Sequence, residues 1–437
     1  RGKLVLPSLE EVKQAIKEKG KVEVVSSQLP HDEIAPLFKV VELENKYGIL
    51  TTQDREFLMT ISDADERARK ELEIIEHKVG LKIYKLKDIN MVGLSGIKRF
   101  ILSYKEIDDP KLKPKGIFLV GLPGTGKSFS AKYAASILGA MLVEFNISKI
   151  LEGNNPVFTL HSIFKYLERT SDKNKYVIWI DEIEKMFVGS KEEKRVFGQM
   201  LTILNDMNTP TGYAINGIFW VTANNIKEIM DSNPEFLRKG RFDELFFIDN
   251  PYHDDVKEMV KYYANFYNVN YYNTISKVKT REQLADDVIM LTLNNVYYNA
   301  TMETGSKDTK RFIYVPAEIQ QIAKEMANRM YINQKYFQSD PKTRKDILKL
   351  LFPQSIMNNV LNYFRTFNLL KADIFSYDDF LKAIDGIHYN NIAPFHGKVS
   401  TDLNLIAVLS TNEPLSLSMK EAIAKMRAQE KIFTKGD

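Results

Sequence analysis

The central part of the chain alternates short apolar runs with longer segments of helical periodicity. The apolar runs are rich in β-branched and aromatic residues and read GIFLVG, AMLVEFN, KYVIWID, GIFWVTAN and ELFFIDN. Nearly continuous apolar runs are typical of strands that are buried on both faces of a parallel sheet, and the intervening segments are long enough to be the covering helices. The pattern therefore predicts an α/β domain over residues 81–250.

The segments on either side of this domain have other patterns. Residues 1–80 combine a helical stretch, two short apolar runs (KVEVVSS and LFKVVELE) and a charged helix, DADERARKELEIIEHKVG. Residues 251–395 are predicted to be mostly helical, with an insertion rich in tyrosine and asparagine around 270–310. Residues 396–437 are predicted to form a loop and a terminal helix, SMKEAIAKMRAQEKI. The chain is therefore expected to have four zones.

Composition narrows the classes of protein that fit this pattern. The chain has 437 residues, of which 44% are hydrophobic and 27% charged, as in globular proteins. It contains no cysteine, which excludes disulfides, thiolate metal sites and cysteine nucleophiles. No run approaches the roughly 18 apolar residues of a membrane span. We expect a soluble intracellular protein, in the cytoplasm or an equivalent compartment, whose natural start lies before Arg1.

The segment Gly121–Ser128, GLPGTGKS, fits the phosphate-binding pattern GxxxxGK followed by Ser or Thr, and it joins a predicted strand to a predicted helix. Its glycines let backbone N–H groups converge on the phosphates of a nucleotide, and the helix N-terminus adds a positive dipole. Lys127 would bring a charge to the phosphates, and Ser128 would bring a hydroxyl to Mg²⁺. The predicted nucleotide-binding residues of this loop are Gly121, Pro123, Gly124, Thr125, Gly126, Lys127 and Ser128.

A second predicted strand ends in two carboxylates, Asp181 and Glu182. Carboxylates that follow a buried strand are costly unless they hold a metal ion or its waters. We predict that Asp181 and Ser128 hold Mg²⁺ and that Glu182 polarises the attacking water. Glu184 and Lys185 are expected to be exposed residues of the segment that follows.

Two further motifs follow along the chain. The run GIFWVTANN ends near Asn224, which we predict to hydrogen-bond the γ-phosphate or the attacking water. The segment FLRKGRFDE places Arg238 and Arg241 beside Gly240. Two guanidiniums at this spacing can reach one phosphate-rich target, and an arginine from a neighbouring subunit can raise the rate of phosphoryl transfer by about 10³- to 10⁵-fold. We predict that these arginines complete the site of a neighbouring copy.

In this order, GLPGTGKS, IDE, TANN and LRKGRFDE resemble the AAA module of the AAA+ ATPases. The resemblance implies a P-loop NTPase parallel sheet flanked by helices and followed by a helical lid domain. Upstream, NMVGLSGIKRFI resembles the family segment whose backbone contacts adenine, which implies that role for Val92 and Gly93. Downstream, VPAEIQQI resembles a lid helix, with Pro316 and Ala317 where the family usually has Gly-Ala, and it implies that Ala317 contacts the nucleotide.

A narrower resemblance is to the AAA proteins of plastid and cyanobacterial genomes called hypothetical chloroplast reading frame forty-six, and to their bacterial and viral relatives. It rests on WIDEIEKMF, RVFGQMLTILND, FLRKGRFDE and PLSLSMKEAIAKMR. It implies that residues 1–80 are the end of a degenerate N-terminal nucleotide-fold domain, a partial α/β domain. The resemblance also extends the expected compartment to the plastid stroma or the cytoplasm of a viral host. One departure is that Ile150, followed by Leu151, stands where many AAA threading machines have an aromatic pore-loop residue, so we expect a weaker grip on polypeptide.

Residues and resemblance together predict an ATPase that uses ATP and Mg²⁺ and couples hydrolysis to remodelling of a protein client. The resemblance implies a homo-oligomeric ring, with a hexamer expected. A nucleotide-gated assembly scaffold stays open as an alternative because the pore loop lacks its aromatic residue. A nucleic-acid motor or loader also stays open, but the formal net charge of +4 and the absence of a basic run disfavour it.

Overall fold

The computed structural model describes residues 49–437 with gaps at 110, 188, 233–235, 237–241, 270, 274–276, 279, 294–311, 313, 371–372, 375, 393–398, 412–433 and 436–437. The apolar runs and the first helix predicted before residue 49 lie outside the described residues. The terminal helix predicted from SMKEAIAKMRAQEKI also lies outside them.

A seven-stranded sheet forms the centre of the molecule. The strands of the chain are β1 (Leu81–Lys85), β2 (Gly116–Gly121), β3 (Met141–Phe145), β4 (Tyr176–Ile180), β5 (Gly217–Ala223), β6 (Glu244–Ile248), β7 (Tyr271–Asn273), β8 (Lys277–Val278), β9 (Val399–Ser400) and β10 (Thr434–Lys435). The sheet has the order β1-β3-β4-β5-β2-β6-β10, and all its neighbours are parallel except β1, which is antiparallel to β3. The five predicted apolar runs form β2 to β6, so the predicted parallel sheet is confirmed.

Helices cover both faces of this sheet. The helices described before residue 250 are α1 (Thr52–Met59), α2 (Ala64–Val79), α3 (Ser95–Glu106), α4 (Lys127–Leu138), α5 (Ile147–Glu152), α6 (Pro156–Thr170), α7 (Lys191–Asp206) and α8 (Lys227–Ser232). Side chains of a strand alternate between the two faces. In β2, Phe118 and Val120 pack into the core that contains α6 and α7, whereas Ile117 and Leu119 pack into the core that contains α3 and α4. Every residue of β2, β4 and β5 is buried as a result.

The second part of the molecule is mostly helical, as predicted. Its helices are α9 (His253–Phe266), α10 (Arg281–Leu293), α11 (Pro316–Phe337), α12 (Pro341–Leu351), α13 (Met357–Thr366), α14 (Tyr377–Ile392) and α15 (Thr401–Thr411). Helix α11 joins two hydrophobic cores, because Ile319 and Ile322 pack with α9 and α10, whereas Tyr336 and Phe337 pack with α12, α13 and α14. Strands β7, β8 and β9 form a small sheet beside these helices. None of the helices in the described ranges is long and apolar enough to cross a membrane.

Candidate nucleotide site

The phosphate-binding loop connects the end of β2 to the start of α4. Gly124 and Gly126 have φ angles of +79° and +95°, in a region that L side chains rarely adopt. At Gly121, a Cβ would lie 2.5 Å from the carbonyl oxygen of Ile248 on the neighbouring strand. The loop therefore needs all three glycines. It ends at Lys127, where the unbonded N–H groups of a helix N-terminus are suited to bind an anion.

Lys127 is buried and folds back over the loop. Its Nζ donates hydrogen bonds to the carbonyl oxygens of Gly121 and Leu122, at 2.8 and 2.7 Å. Burial lowers the pKa of Lys127 from 10.5 to about 8, and the nearby carboxylates, led by Asp181, oppose this shift. The ammonium group therefore still carries its charge at neutral pH, beside the loop that would hold phosphates.

The hydroxyl and carboxylate predicted to hold Mg²⁺ are in contact. Ser128 Oγ donates to Asp181 Oδ1 at 2.8 Å, and Thr222 Oγ1 donates to the same carboxylate oxygen. Mg²⁺ is bound in nucleotide sites by one or two such oxygens together with substrate phosphates and waters. In the described part of the chain, no three or more His, Cys, Asp or Glu residues are grouped so that they could hold a metal ion by themselves. The Ser128–Asp181 pair therefore fits an ion that takes its remaining ligands from nucleotide and water.

Glu182 lies at a strained position next to this pair. Its φ and ψ angles are 50° and 53°, in the left-handed region, and its N–H donates to Thr222 Oγ1 at 3.1 Å. One carboxylate oxygen accepts a hydrogen bond from Asn224 Nδ2 at 3.2 Å, and the other accepts one from Lys185 Nζ. Glu182 and Asn224, predicted from separate motifs, are thus hydrogen-bonded to each other.

Glu184 is buried, so the prediction that it is exposed is wrong, whereas Lys185 is exposed as expected. The segment after Glu182 is a 3₁₀ turn, Ile183–Met186, which directs Glu184 inwards. There its Oε1 accepts a hydrogen bond from the backbone N–H of Asn224 at 2.9 Å. This contact joins residues from two strand ends, and no local sequence pattern predicts it.

A cavity of about 350 Å³ lies between the carboxyl edge of the sheet and the helical part. The structure brings most of the predicted site residues to this cavity. They are Val92, Gly93, Pro123, Gly124, Thr125, Gly126, Lys127, Ser128, Asp181, Glu182, Asn224 and Ala317. Gly121 is placed at the end of β2, where its carbonyl oxygen contacts Lys127. Arg238 and Arg241 lie outside the described residues, and their role stays a prediction.

The cavity also has lining residues that were not predicted. One group follows β6 and includes Asp249 and Asn250. Their position is predictable from the sequence, because polar residues after a parallel strand reach the same sheet edge as Asp181. Another group lies on the helical part and includes Met259, Tyr262 and Gln320. Their position depends on how the helical part packs against the sheet domain, and the hydrophobic pattern of the sequence does not predict that packing.

Comparisons with known proteins agree with this architecture. Residues 117–250 match the family model described as "ATPase family associated with various cellular activities (AAA)". The AAA domain-containing protein ycf46 of Guillardia theta is 38% identical over 154 residues, which are 33% of this chain and 27% of that protein. The ycf46 protein of Pyropia yezoensis is 34% identical over 188 residues, 41% of this chain and 34% of that protein. A proteasome-activating nucleotidase of Methanococcus maripaludis is 27% identical over 248 residues, 51% of this chain and 57% of that protein.

Residues 117–250 therefore match the AAA family of ATPases, and the predicted resemblance to the AAA module is confirmed for this region. Over this region the chain resembles the ycf46 proteins, which confirms the narrower resemblance as well. The matched segments span only 27% and 34% of those two relatives.

Proposed function

We propose that this chain binds ATP with Mg²⁺ in the cavity and hydrolyses it, and that hydrolysis remodels a protein client. The observation that carries the proposal is the convergence of three pairs of groups on one cavity. Lys127 lies beside the phosphate loop, Ser128 contacts Asp181, and Glu182 contacts Asn224. Phosphoryl transfer needs this combination of a cationic group, a magnesium site and a group that orients water.

Each residue has a role in this mechanism that follows from its position. Lys127 would offset the negative charge of the β- and γ-phosphates, and the loop backbone would fix their position. Ser128 and Asp181 would hold Mg²⁺, which when bound neutralises phosphate charge that develops during transfer. Glu182 would accept a hydrogen bond from the attacking water and orient it towards the γ-phosphate. Asn224 would hydrogen-bond the γ-phosphate or the attacking water, as predicted, and would also hold the Glu182 carboxylate in that orientation.

We further propose a homo-oligomeric ring, with a hexamer expected. Arg238 and Arg241 of one copy would then reach the γ-phosphate bound by its neighbour. The likeness to a proteasome-activating nucleotidase supports a protein client rather than nucleic acid. The compartment in which the chain works stays a prediction.

A nucleotide-gated scaffold is a second candidate, and one observation favours it. Ile150, which stands where threading machines have an aromatic pore residue, is 1% exposed and packs in the sheet core. A buried side chain cannot grip a polypeptide. In a scaffold, ATP binding would build the assembly, and hydrolysis would only release it.

An experiment with a captured client separates the two functions. Glu182→Gln protein with ATP would capture the client, and the same purified client would then be given to the parent protein. Remodelling predicts that the client becomes more sensitive to protease with ATP but not with a non-hydrolysable analogue. Release of the client with unchanged protease sensitivity would favour the scaffold.

A further inference from the structure

Glu184 is a buried carboxylate that the proposed mechanism does not use. It lies in the 3₁₀ turn after β4, and it is 9% exposed. Its Oε1 accepts the backbone N–H of Asn224 at 2.9 Å. Its Oε2 is buried without a hydrogen-bond partner among the residues that the structure describes. Glu184 is not among the described residues that line the cavity.

Asn224 is held at two points by two carboxylates of one turn. Its backbone N–H donates to Glu184, and its side-chain Nδ2 donates to Glu182 Oε1 at 3.2 Å. The first bond fixes where the residue after β5 lies relative to the turn after β4. With Asn224 in that position, the hydrogen bond from its side-chain Nδ2 orients the Glu182 carboxylate. Loss of the first bond would therefore release the second.

The backbone of the turn makes this support necessary. Glu182 has a left-handed conformation, which is unfavourable for a non-glycine residue unless its surroundings hold it. Thr222 holds one side of the turn by accepting the N–H of Glu182. Glu184 holds the other side through Asn224.

We propose that Glu184 is a positioning residue for ATP hydrolysis, which sets the orientation of Glu182 by anchoring the backbone of Asn224. The inference rests on the proposed hydrolysis at this site. What the role requires of Glu184 is an accepting oxygen at the right distance, not a negative charge. Burial raises the pKa of the Glu184 carboxyl, and nearby Glu182 raises it too, whereas the bond from Asn224 and the charge of Lys127 lower it. The pKa of the Glu184 carboxyl is raised overall, so the charged form is less favoured here than in water.

Substitutions of Glu184 can distinguish an accepting oxygen from a charge. Glu184→Gln keeps an oxygen at the same reach, and Glu184→Asp keeps the charge but shortens the side chain by one methylene. Glu184→Ala removes both. The matched control is Glu168→Ala, because Glu168 Oε2 likewise accepts a backbone N–H, from Ala214 at 2.7 Å, at the opposite end of β5.

The measurements are kcat for ATP and the Kd for ATP, with thermal unfolding to show that each variant is folded. We expect kcat to fall about 10- to 100-fold in Glu184→Ala and Glu184→Asp, while Kd stays within about threefold. Glu184→Gln and Glu168→Ala should stay within about threefold of the parent kcat. If Glu184→Ala does not fold, the kcat values of Glu184→Gln and Glu184→Asp are compared instead, and they test the role in the same way.

Three results would overturn this role. They are a parent-like kcat in Glu184→Asp, a kcat in Glu184→Gln as low as in Glu184→Asp, and a fall in ATP affinity that accounts for the whole loss of activity. The absence of turnover in the parent protein would contradict the proposed function together with this role. If the parent and Glu168→Ala both turn over ATP, the proposed function stands, and an unexpected result in the Glu184 variants contradicts only the positioning role.

Discussion

The backbone N–H of Ala317 donates a hydrogen bond of 3.1 Å to the carbonyl oxygen of Gly124. Gly124 lies in the phosphate loop, and Ala317 is the second residue of α11 in the helical part. Pro316 precedes it at the first helical position and has no N–H, so Ala317 supplies the first N–H donor of this helix. The helical part therefore contacts the phosphate loop through backbone atoms.

Substitution of Gly124 by alanine should disturb this contact. A Cβ there would lie 2.9 Å from the Cβ of Ala317, and the φ of +79° is unfavourable for alanine. We expect Gly124→Ala to weaken ATP binding about tenfold or more and to lower the free energy of unfolding by about 1–2 kcal/mol. Isothermal titration with ATP and denaturant unfolding measure the two effects.

The control for Gly124→Ala is Gly139→Ala. Gly139 also has a positive φ, +62°, but a Cβ there would meet nothing within 4 Å. Gly139→Ala should lower the free energy of unfolding about as much as Gly124→Ala does, but its ATP affinity should equal that of the parent. Equal ATP affinities in the two variants would show that the contact with Ala317 does not matter for binding.

Burial of Lys127 should appear in the dependence of stability on pH. Its pKa is lowered from 10.5 to about 8 in the folded chain. Between these values the unfolded chain binds more protons than the folded chain, so stability rises with pH. Lys127→Met lacks this group. We expect the parent to gain on the order of 2 kcal/mol relative to Lys127→Met between pH 7 and pH 10.

Denaturant unfolding at the two pH values, without nucleotide, measures this gain for Lys127. The penalty of burying the cation is present below the folded pKa and disappears as the pH rises through and above it. A stability difference between parent and Lys127→Met that does not change with pH would contradict the buried, charged state of Lys127.

Mixed oligomers test whether Arg238 and Arg241 act on the nucleotide of a neighbouring copy. If they act on a neighbour's nucleotide, Arg238→Ala lowers kcat in a homo-oligomer, with ATP binding retained. Lys127→Ala subunits do not bind phosphate but keep both arginines. Mixed oligomers of the two variants should therefore recover turnover above either variant alone. Full activity of the Arg238→Ala homo-oligomer would exclude a role for Arg238 in trans.

The parts of the fold that the sequence predicted are those with a strong local pattern. The strands β2, β4 and β5 are apolar at nearly every position because helices cover both faces, and the glycines of the loop are required by its own backbone. Strand β1 was not predicted, because its residues, LKIYK, pair only on one side, with β3. Its polar positions leave no continuous apolar run.

The residues of the candidate site that directly follow strands are predictable from the sequence. Those whose position depends on contacts with residues far away in the sequence are not. Asp181 and Asn224 follow buried strands directly, so their shared edge was predictable. The burial of Glu184 depends on a bond to Asn224, which is 40 positions away in sequence. Likewise, Tyr262 reaches the cavity only because α9 docks over the sheet edge.

The proposal of ATP hydrolysis depends above all on Glu182. Glutamine at this position keeps the size of the side chain and an oxygen for the bond from Asn224, but it is a much weaker acceptor for a water proton. Steady-state ATP turnover of Glu182→Gln, measured beside its ATP affinity, tests the role. We expect ATP affinity within about threefold of the parent and turnover at a few per cent of the parent rate or less. Parent-like turnover with normal ATP binding would contradict the proposed site.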